Sequence, residues 1–224
     1  DLKKFTELFN EINGVANTER AFDLELMRQF LSQPYCKPEE NCFLAESDGA
    51  LVGFTMITPE LSILRAVASG GIVKSHGNQG TGRTLLENAI QHSTAMGASV
   101  LHIQASSDTP AWLHLLDSHG FRYVRTYSLM KWEGREVQPP DVPPGFGLRS
   151  LKIGQDEEAL TRLQNSAFEE NWGFCPNTVE EIEARLGFKT SDPDGVVFVT
   201  DGERLAAYNW TFRATGSTSS TGWI

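Results

Sequence analysis

Residues 72–86 decide the fold, and they read Ile72-Val73-Lys74-Ser75-His76-Gly77-Asn78-Gln79-Gly80-Thr81-Gly82-Arg83-Thr84-Leu85-Leu86. This is the pattern of a strand, a loop with three glycines and the start of a helix. Glycines in such a loop permit positive φ and let a ligand approach the backbone. The free N–H groups and partial positive charge of a helix start favour an anion such as a pyrophosphate. Glycine-rich turns also precede helices that bind nothing, so the neighbouring elements must decide.

Two other folds that use glycine loops fit poorly. A nucleoside-triphosphate loop carries a Lys-Ser/Thr pair after its glycines, and none follows here. A dinucleotide-binding fold places its glycines after the first strand and an acidic residue about 20 residues later on a parallel strand. In this sequence the loop follows the fourth strand of the predicted unit, and no acidic residue at that spacing is evident.

Hydrophobic periodicity on both sides of the loop predicts a mixed α/β fold. Upstream it predicts helices at 1–13 and 23–32, strands at 42–47 and 50–58, and an extended stretch at 61–73. Downstream it predicts a helix at 81–96, a strand at 99–105, a helix at 109–118 and a strand at 121–132. The remainder predicts a strand at 146–152, helices at 156–168 and 178–186, and strands at 195–200 and 203–213.

The chain also contains an internal repeat. A shift of 155 residues places its opening on a later segment without gaps. Identical pairs include Asp1 with Asp156, Thr6 with Thr161, Leu8 with Leu163, Asn10 with Asn165, Leu31 with Leu186 and Phe43 with Phe198. Asp23 meets Thr178, and both residue types are good helix N-caps. Two helices and a hairpin recur in the same order, so the sequence predicts two copies of one domain.

A proline-rich segment divides the two predicted copies. Residues 133–145 contain four prolines and two glycines, which excludes them from the interior of a helix or sheet. We therefore predict a first copy at 1–132, a linker at 133–145 and a second copy at 146–224. The repeat implies that the first copy lacks a counterpart of strand 146–152. It also implies that the second copy stops as its fourth strand begins, so we expect a fragment of a longer chain.

The order of elements, with G-x-x-G-x-G after the fourth strand, resembles the GNAT superfamily of N-acetyltransferases. "HGFRYV" (119–124) resembles the segment that closes this fold. "PPGFGLRSLKIGQDEEAL" (143–160) and "AFEENWGFCPNT" (167–178) are similar to the second half of tandem GNAT proteins of the mycothiol synthase type. The resemblance implies two GNAT domains, the second truncated, and acetyl-CoA as cosubstrate.

The resemblance also implies a binding role for the glycine loop. The expected cofactor-binding residues are Ile72, Val73, Gly77, Asn78, Gln79, Gly80, Thr81, Gly82, Arg83 and Thr84. The N–H groups of 77–82 would hold the CoA pyrophosphate, with side-chain contacts from Arg83 and Thr84. Ile72 and Val73 would bond the pantetheine amides as an edge strand bonds a peptide. Gly77 departs from the family, which usually has Arg or Gln there.

The catalytic groups of the family are missing from the first copy. The family often uses a carboxylate on the fourth strand as base and a Tyr four residues before the "GF" glycine as acid. The stretch 61–73 contains neither Asp nor Glu, and Leu116 occupies the Tyr position. Glu60 and His114 lie nearby, but we read them as an exposed loop carboxylate and a surface histidine, and Tyr123 and Tyr127 as strand packing residues. Catalytic residues are therefore unassigned, and those of the second copy are expected beyond Ile224.

A second candidate region lies between the helices of the second copy. Asn171, Trp172 and Phe174 precede a predicted helix and are candidates to border the pocket for the amine acceptor. A Trp after an amphipathic helix is also typical of a hydrophobic core.

Composition restricts the partners. The formal net charge of −10 argues against nucleic acid, which requires clustered Lys and Arg. Apolar runs are only a few residues long, so we expect no membrane span. Cys36, Cys42 and Cys175 lack metal-site spacing, so we predict reduced thiols, no metal and a cytoplasmic protein.

Three functions remain open on the sequence. The first is an acetyl-CoA-dependent N-acetyltransferase (an acyltransferase) acting on a small-molecule amine, with a first domain that binds acetyl-CoA and is weakly catalytic or non-catalytic. The second is a non-catalytic CoA-binding or scaffold module. The third is an aminoacyl- or peptidyl-transferase with a tRNA-borne donor, which the charge of −10 disfavours.

Overall fold

A computed structural model describes residues 1–134, 136, 138–214 and 222–223, and its strands form two four-stranded sheets. The helices are α1 (Leu2–Ile12), α2 (Leu24–Leu31), α3 (Pro38–Asn41), α4 (Thr81–Ala95), α5 (Pro110–Ser118), α6 (Glu157–Phe168) and α7 (Val179–Leu186). The strands are β1 (Cys42–Ser47), β2 (Ala50–Glu60), β3 (Arg65–Ile72), β4 (Val100–Ile103), β5 (Phe146–Ser150), β6 (Ser191–Asp201), β7 (Arg204–Arg213) and β8 (Gly222–Trp223). The mixed α/β class predicted from the sequence is confirmed.

The first sheet has the order β1-β2-β3-β4. Its first three strands are antiparallel, and β4 runs parallel to β3 because α4 crosses over between them. The β1–β2 turn has positive φ at both Asp48 (50°) and Gly49 (78°), as the common two-residue hairpin requires.

Helices cover both faces of the first sheet. On one face, α1 and α2 bury Phe5, Leu8 and Met27 against Phe54. On the other face, Ala89 of α4 packs in a second cluster with Ile57, Ala66 and Ala68. The small side chains on β3 let α4 approach closely, which places the start of α4 beside the end of β3.

The second sheet is antiparallel throughout, in the order β5-β6-β7-β8. Its core joins α6 and α7 to β6 and β7 through Leu160, Ile182, Val196, Phe198 and Trp210. Gly222 and Trp223 pair with the end of β7, at the position where the repeat predicts a fourth strand.

The same polar clamp occurs in both halves of the chain. The Nδ2 of Asn10 donates to the Phe22 carbonyl and the Phe22 N–H donates to Asn10 Oδ1, both at 2.8 Å. Asn165 makes the same two bonds with the backbone of Asn177, both at 2.9 Å. Each asparagine thus ties the first helix of its half to the residue before the N-cap of the next helix.

The hairpins also correspond, but at a spacing of 154 residues. A register shift occurs between Ala45 and Glu46 in β1, and another between Val199 and Thr200 in β6. This recurrence agrees with the predicted repeat and moves the alignment of the strands by one residue. The domain boundaries at 1–132, 133–145 and 146–224 stay a prediction.

Two of the predicted extended segments are wrong. Residues 121–132 were expected to form a strand, but they pair with no described strand, and Tyr123 and Tyr127 are exposed rather than packed. An isolated strand has no ladder to satisfy its backbone groups, so hydrophobic alternation alone does not make one. The stretch 61–73 is interrupted by a 3₁₀ turn at Leu61–Ile63 and by Leu64 at φ 53°.

Several side-chain contacts join the halves near α2. Gln29 Nε2 donates to the Gly187 carbonyl at 3.2 Å, and Gln29 Oε1 accepts from the Lys189 N–H at 2.9 Å. The Lys189 ammonium is also paired with Asp23, the N-cap of α2. The start of α2 therefore contacts the segment that follows α7.

The cysteines carry free thiols, as predicted. Burial raises the pKa of the Cys36 thiol and raises the pKa of Cys42 to about 11, so both favour the unreactive protonated form. No helix in the described part of the chain is long and apolar enough to cross a membrane.

We expect Asn10→Ala and Asn165→Ala each to lower the free energy of unfolding by about 2–4 kcal/mol, because each leaves a backbone N–H and a carbonyl without their partners. Urea denaturation monitored by circular dichroism measures the loss. Asn13→Ala is the control: this exposed asparagine bonds only the carbonyl of its own helix at Phe9, and its removal should cost less than about 0.5 kcal/mol. Equal losses for Asn10 and Asn13 would contradict the clamp.

Candidate functional site

The candidate site begins where β3 extends beyond its pairing with β4. β3 pairs with β2 over all of Arg65–Ile72 but with β4 only from Arg65 to Ala68. Residues 69–72 therefore have a free edge on the side of β4. An edge of this kind presents N–H and C=O groups that can pair with an extended ligand.

The ladder determines which residues face this free edge. The Val73 N–H donates to the Val52 carbonyl at 2.9 Å, so Val73 faces β2. Hydrogen-bonding direction alternates along a strand, which turns the backbone groups of Ile72 and Gly70 to the free side. Gly70 has φ 139°, and a Cβ there would overlap the Phe54 carbonyl. Only glycine fits this position without moving β2.

The loop after β3 ends in an uncapped helix start. Lys74–His76 forms a single 3₁₀ turn, after which Asn78 (φ 59°) and Gly80 (φ 89°) take left-handed conformations. Gly80 is the N-cap of α4 and offers no side chain to bond the first-turn N–H groups. Those N–H groups lack intrahelical acceptors, and nothing lies within 4 Å of a Cβ built on Gly80. An anion can therefore approach the helix start.

The structure brings the predicted cofactor-binding residues into one continuous segment. Ile72 ends β3 and Val73 is buried beneath the loop. Asn78, Gln79, Gly80, Arg83 and Thr84 are exposed, and Gly77, Thr81 and Gly82 are half-buried. A Cβ built on Gly82 would lie 3.7 Å from Ile72 Cδ1. This close packing holds the first turn of α4 against the end of β3.

The loop that carries the predicted acceptor residues Asn171, Trp172 and Phe174 contacts the first sheet. Trp172 stacks on His102 of β4, with ring centroids 5.1 Å apart and planes 9° apart. His102 lies one residue before Ile103, the last β4 residue paired with β3. Between Asn171 and Phe174, the Gly173 carbonyl accepts a 2.6 Å hydrogen bond from Arg65 Nη2. The loop between α6 and α7 thus lies against the part of the first sheet in which β3 and β4 are paired.

The electrostatics at this contact keep the His102 imidazole neutral. Burial is the largest cause that lowers its pKa, the nearby Arg65 charge lowers it further, and Glu60 opposes them. The Arg65 guanidinium is buried and paired with Glu60. Glu60 is therefore the half-buried last residue of β2, which corrects its reading as an exposed loop carboxylate.

The structure gives the first sheet few groups for acid–base chemistry. Leu116, at the position where the family has a Tyr, is buried. His114 is exposed on α5, as expected. Within the described residues, no group of His, Cys, Asp and Glu side chains is placed to hold a metal ion.

Sequence reasoning missed three residues of this site: Gly70, Arg65 and His102. Gly70 could have been found from its two-residue spacing to Ile72, because alternate strand residues share an edge. Arg65 and His102 are polar residues within apolar strands, which is a weak signal. Their partners Gly173 and Trp172 are distant in sequence, so only the tertiary structure reveals the contacts.

Comparison with protein families identifies a match over the first part of the chain. The model described as Acetyltransferase (GNAT) family matches residues 2–121, which is more than half of the 224 residues.

Relatives at lower identity extend further along the chain. A mycothiol acetyltransferase of Cellulomonas flavigena is 29% identical over 174 residues, covering 77% of this chain and 50% of the relative. The mycothiol acetyltransferase of Geodermatophilus obscurus is 28% identical over 168 residues, covering 74% and 54%. The chain therefore spans about half the length of these curated relatives.

A solved structure shares the fold over nearly the whole chain. The GCN5-related N-acetyltransferase of Sphaerobacter thermophilus superposes with a TM-score of 0.68 at 16% identity, covering 99% of this chain and 70% of that one. At this identity the likeness concerns the fold alone.

We expect Trp172→Ala to raise the pKa of His102 towards its ordinary value, because removal of the indole exposes a ring whose pKa burial lowers. A lowered pKa in the folded state means that stability is lost as the pH falls through that pKa, so the variant should also lose less stability on acidification. NMR titration of the His102 ring protons measures the shift. Tyr123→Ala, which removes an exposed aromatic ring whose hydroxyl is hydrogen-bonded to Thr126, should leave the titration unchanged.

Proposed function

The chain belongs to the acetyltransferase (GNAT) family, and from this membership we propose that it acts in the transfer of an acetyl group from acetyl-CoA to the amine of a small molecule. One observation carries the proposal: the free edge of β3 leads directly into the uncapped start of α4. The edge suits an extended diamide, and the helix start suits a pyrophosphate. Acetyl-CoA contains both groups in that order.

The residues around the loop fit this ligand. The N–H groups of 77–82 would bond the pyrophosphate, with Arg83 and Thr84 available at the exposed face of α4. Ile72 and Gly70 would pair with the pantetheine amides through their backbone groups. The thioester of acetyl-CoA supplies the activated acetyl group, and the protein's part here is to hold and orient it.

We assign cofactor binding rather than catalysis to the first copy (1–132). Residues of β3 from Ala66 to Ile72 carry neither Asp nor Glu, and Glu60 is held by Arg65. The buried Leu116 cannot donate a proton to a departing thiolate. The base and acid of the reaction would then belong to the second copy.

The acceptor is proposed from the relatives. Their name specifies mycothiol acetylation, so we propose a small amine that carries a sugar and a thiol, such as desacetylmycothiol. Asn171, Trp172 and Phe174 remain proposed acceptor residues, since their loop contacts β3 and β4 of the sheet that carries the proposed cofactor site.

A second candidate function has its own support. The same shortage of acid–base groups in the first copy fits a non-catalytic CoA-binding or scaffold module. Saturable binding of acetyl-CoA with no acetylation of desacetylmycothiol by a chain that contains the whole second copy, measured by mass spectrometry, would favour this second function over the first.

The decisive test of the cofactor site is calorimetric titration of acetyl-CoA. We expect Gly80→Trp to raise the Kd at least tenfold, which is about 1.4 kcal/mol, because the indole fills the space in front of the helix start. Gly97→Trp is the matched control, since Gly97 has φ 88° against 89° for Gly80 and equally open space, but lies after the other end of α4. Both variants carry the same backbone strain, so equal affinities would sink the proposed site.

A further inference from the structure

The two halves of the chain fill the space between helices and sheet in opposite ways. In the first half, Phe9 of α1 lies with its ring centroid 4.9 Å from Phe22, 5.8 Å from Phe30 and 5.6 Å from Phe54. The repeat spacings of 155 residues in the helices and 154 in the strands give the counterparts of these four phenylalanines. They are Gln164, Asn177, Arg185 and Tyr208. Every aromatic hydrocarbon ring is thus replaced by a polar side chain.

An open cavity takes the place of the aromatic cluster. It lies between α6, α7 and β7 and has a volume of about 490 Å³, within the range of small-molecule sites. Gln164, Arg185, Tyr208 and Asn209 line it together with a larger apolar surface that includes the rings of Trp210 and Phe212. These two rings are stacked, with centroids 5.1 Å apart and planes 22° apart.

The polar groups around the cavity are incompletely paired. Gln164 Oε1 is buried and has no hydrogen-bond donor among the described residues. Arg185 donates to Asn177 Oδ1 at 3.2 Å and lies over the Trp210 ring, but within the described chain no carboxylate is within 4 Å of it. A buried oxygen without a donor and a half-buried cation without a counterion each cost free energy.

A purely structural role explains this arrangement poorly. The first half shows that the same backbone frame can be filled with four phenylalanines. Apolar packing at these positions is more stabilising than polar groups left unpaired, and polar residues retained at the expense of stability are typical of functional sites. The cavity therefore has the features of a ligand site rather than of an imperfect core.

The chemistry of the lining selects the ligand. Planar amide and guanidinium groups next to an aromatic face offer several donors and acceptors within a few ångströms, together with a flat apolar surface. A ring bearing several hydroxyl groups satisfies both, because each hydroxyl donates and accepts while the C–H face of the ring lies on an indole. Rotation of the soft terminal torsion of Gln164 would turn its Oε1 towards such a hydroxyl.

We propose that this cavity binds the polyhydroxylated ring of the amine acceptor, a sugar-like group, while the acceptor's ammonium stays outside. The Arg185 charge repels an ammonium placed beside it, so the hydroxyl-bearing ring is the part that enters. The identification of the ligand as an acceptor rests on the proposed acetyl transfer. Binding of a hydroxylated ring is independent of acetyl-CoA and can be measured without it.

The test is an NMR titration of the ¹⁵N-labelled full chain with glucosamine, in the absence of acetyl-CoA. We expect saturable shifts of the side-chain amides of Gln164 and Asn209. Cyclohexylamine, which has the ring and the ammonium but no hydroxyl groups, should give none. Similar shifts with both probes would overturn the assignment, because they would show attraction of a cation to an acidic protein.

The matched variants restore the residues of the first half. We expect the double variant Gln164→Phe, Arg185→Phe to weaken glucosamine binding at least tenfold and to keep or raise the Tm, because it refills the cavity with hydrocarbon. Arg162→Gln, on the exposed face of the same helix, should change neither quantity. Unchanged glucosamine binding in the double variant would overturn the proposal. A marked fall in its Tm would also do so, since the polar residues would then be structural.

A milder variant separates the charge from the hydrogen bonds. Arg185→Lys keeps the cation but removes the planar fork of donors, so it should weaken glucosamine binding severalfold while the fold is retained. Failure of all glucosamine binding with intact acetyl-CoA binding would refute the cavity alone and leave the proposed acetyl transfer standing.

Discussion

The parting of β3 from β4 after Ala68 is the constraint on which the rest of the first sheet depends. Backbone groups on a strand that outruns its neighbour must find partners or stay in contact with solvent. Here β4 returns beside only the first half of β3, so 69–72 keeps its edge open. Gly70 permits the strand to pass Phe54 at a distance that no side chain allows. The same strand leads into the uncapped start of α4. Backbone groups that can pair with amides are therefore followed directly by N–H groups that can bind an anion.

The sequence predicted those parts of the fold that depend on local chemistry. Helix starts at Asp23 and Thr178 follow from their side chains, and both cap as expected. The glycine loop was predicted from its three glycines, of which Gly80 takes the positive φ that is expensive for other residues. The prediction of a strand at 121–132 is wrong because a strand needs a partner and hydrophobic alternation does not supply one. The stacking of Trp172 on His102 joins residues far apart in sequence, so no local pattern could reveal it.

Comparison of the two repeats distinguishes the contacts that both halves share from the side chains in which they differ. Asn10 and Asn165 make the same two backbone bonds, and the register shift before the hairpin turn recurs. These features position the helices on the sheet. The side chains between helix and sheet differ between the halves. Phe9 lies in a cluster of rings, whereas its counterpart Gln164 has an unpaired oxygen. A packed core in one half can stabilise the chain while the other half keeps a cavity.

The contact between the halves gives the first copy a structural role in addition to the proposed cofactor binding. Arg65 is buried, and a buried guanidinium is tolerated only when its donors are satisfied. Glu60 satisfies it from within the first sheet, and the Gly173 carbonyl satisfies it from the loop between α6 and α7. Gly173 itself has φ 72°, and a Cβ there would lie 2.8 Å from the Arg65 Nη1, so the loop can approach the guanidinium only because this residue is glycine. The position of the loop that carries Trp172 is therefore set by the first sheet. A copy without a catalytic carboxylate would in this way still determine where the proposed acceptor residues lie, and the proposed cofactor binding and a scaffold role would both follow from one arrangement.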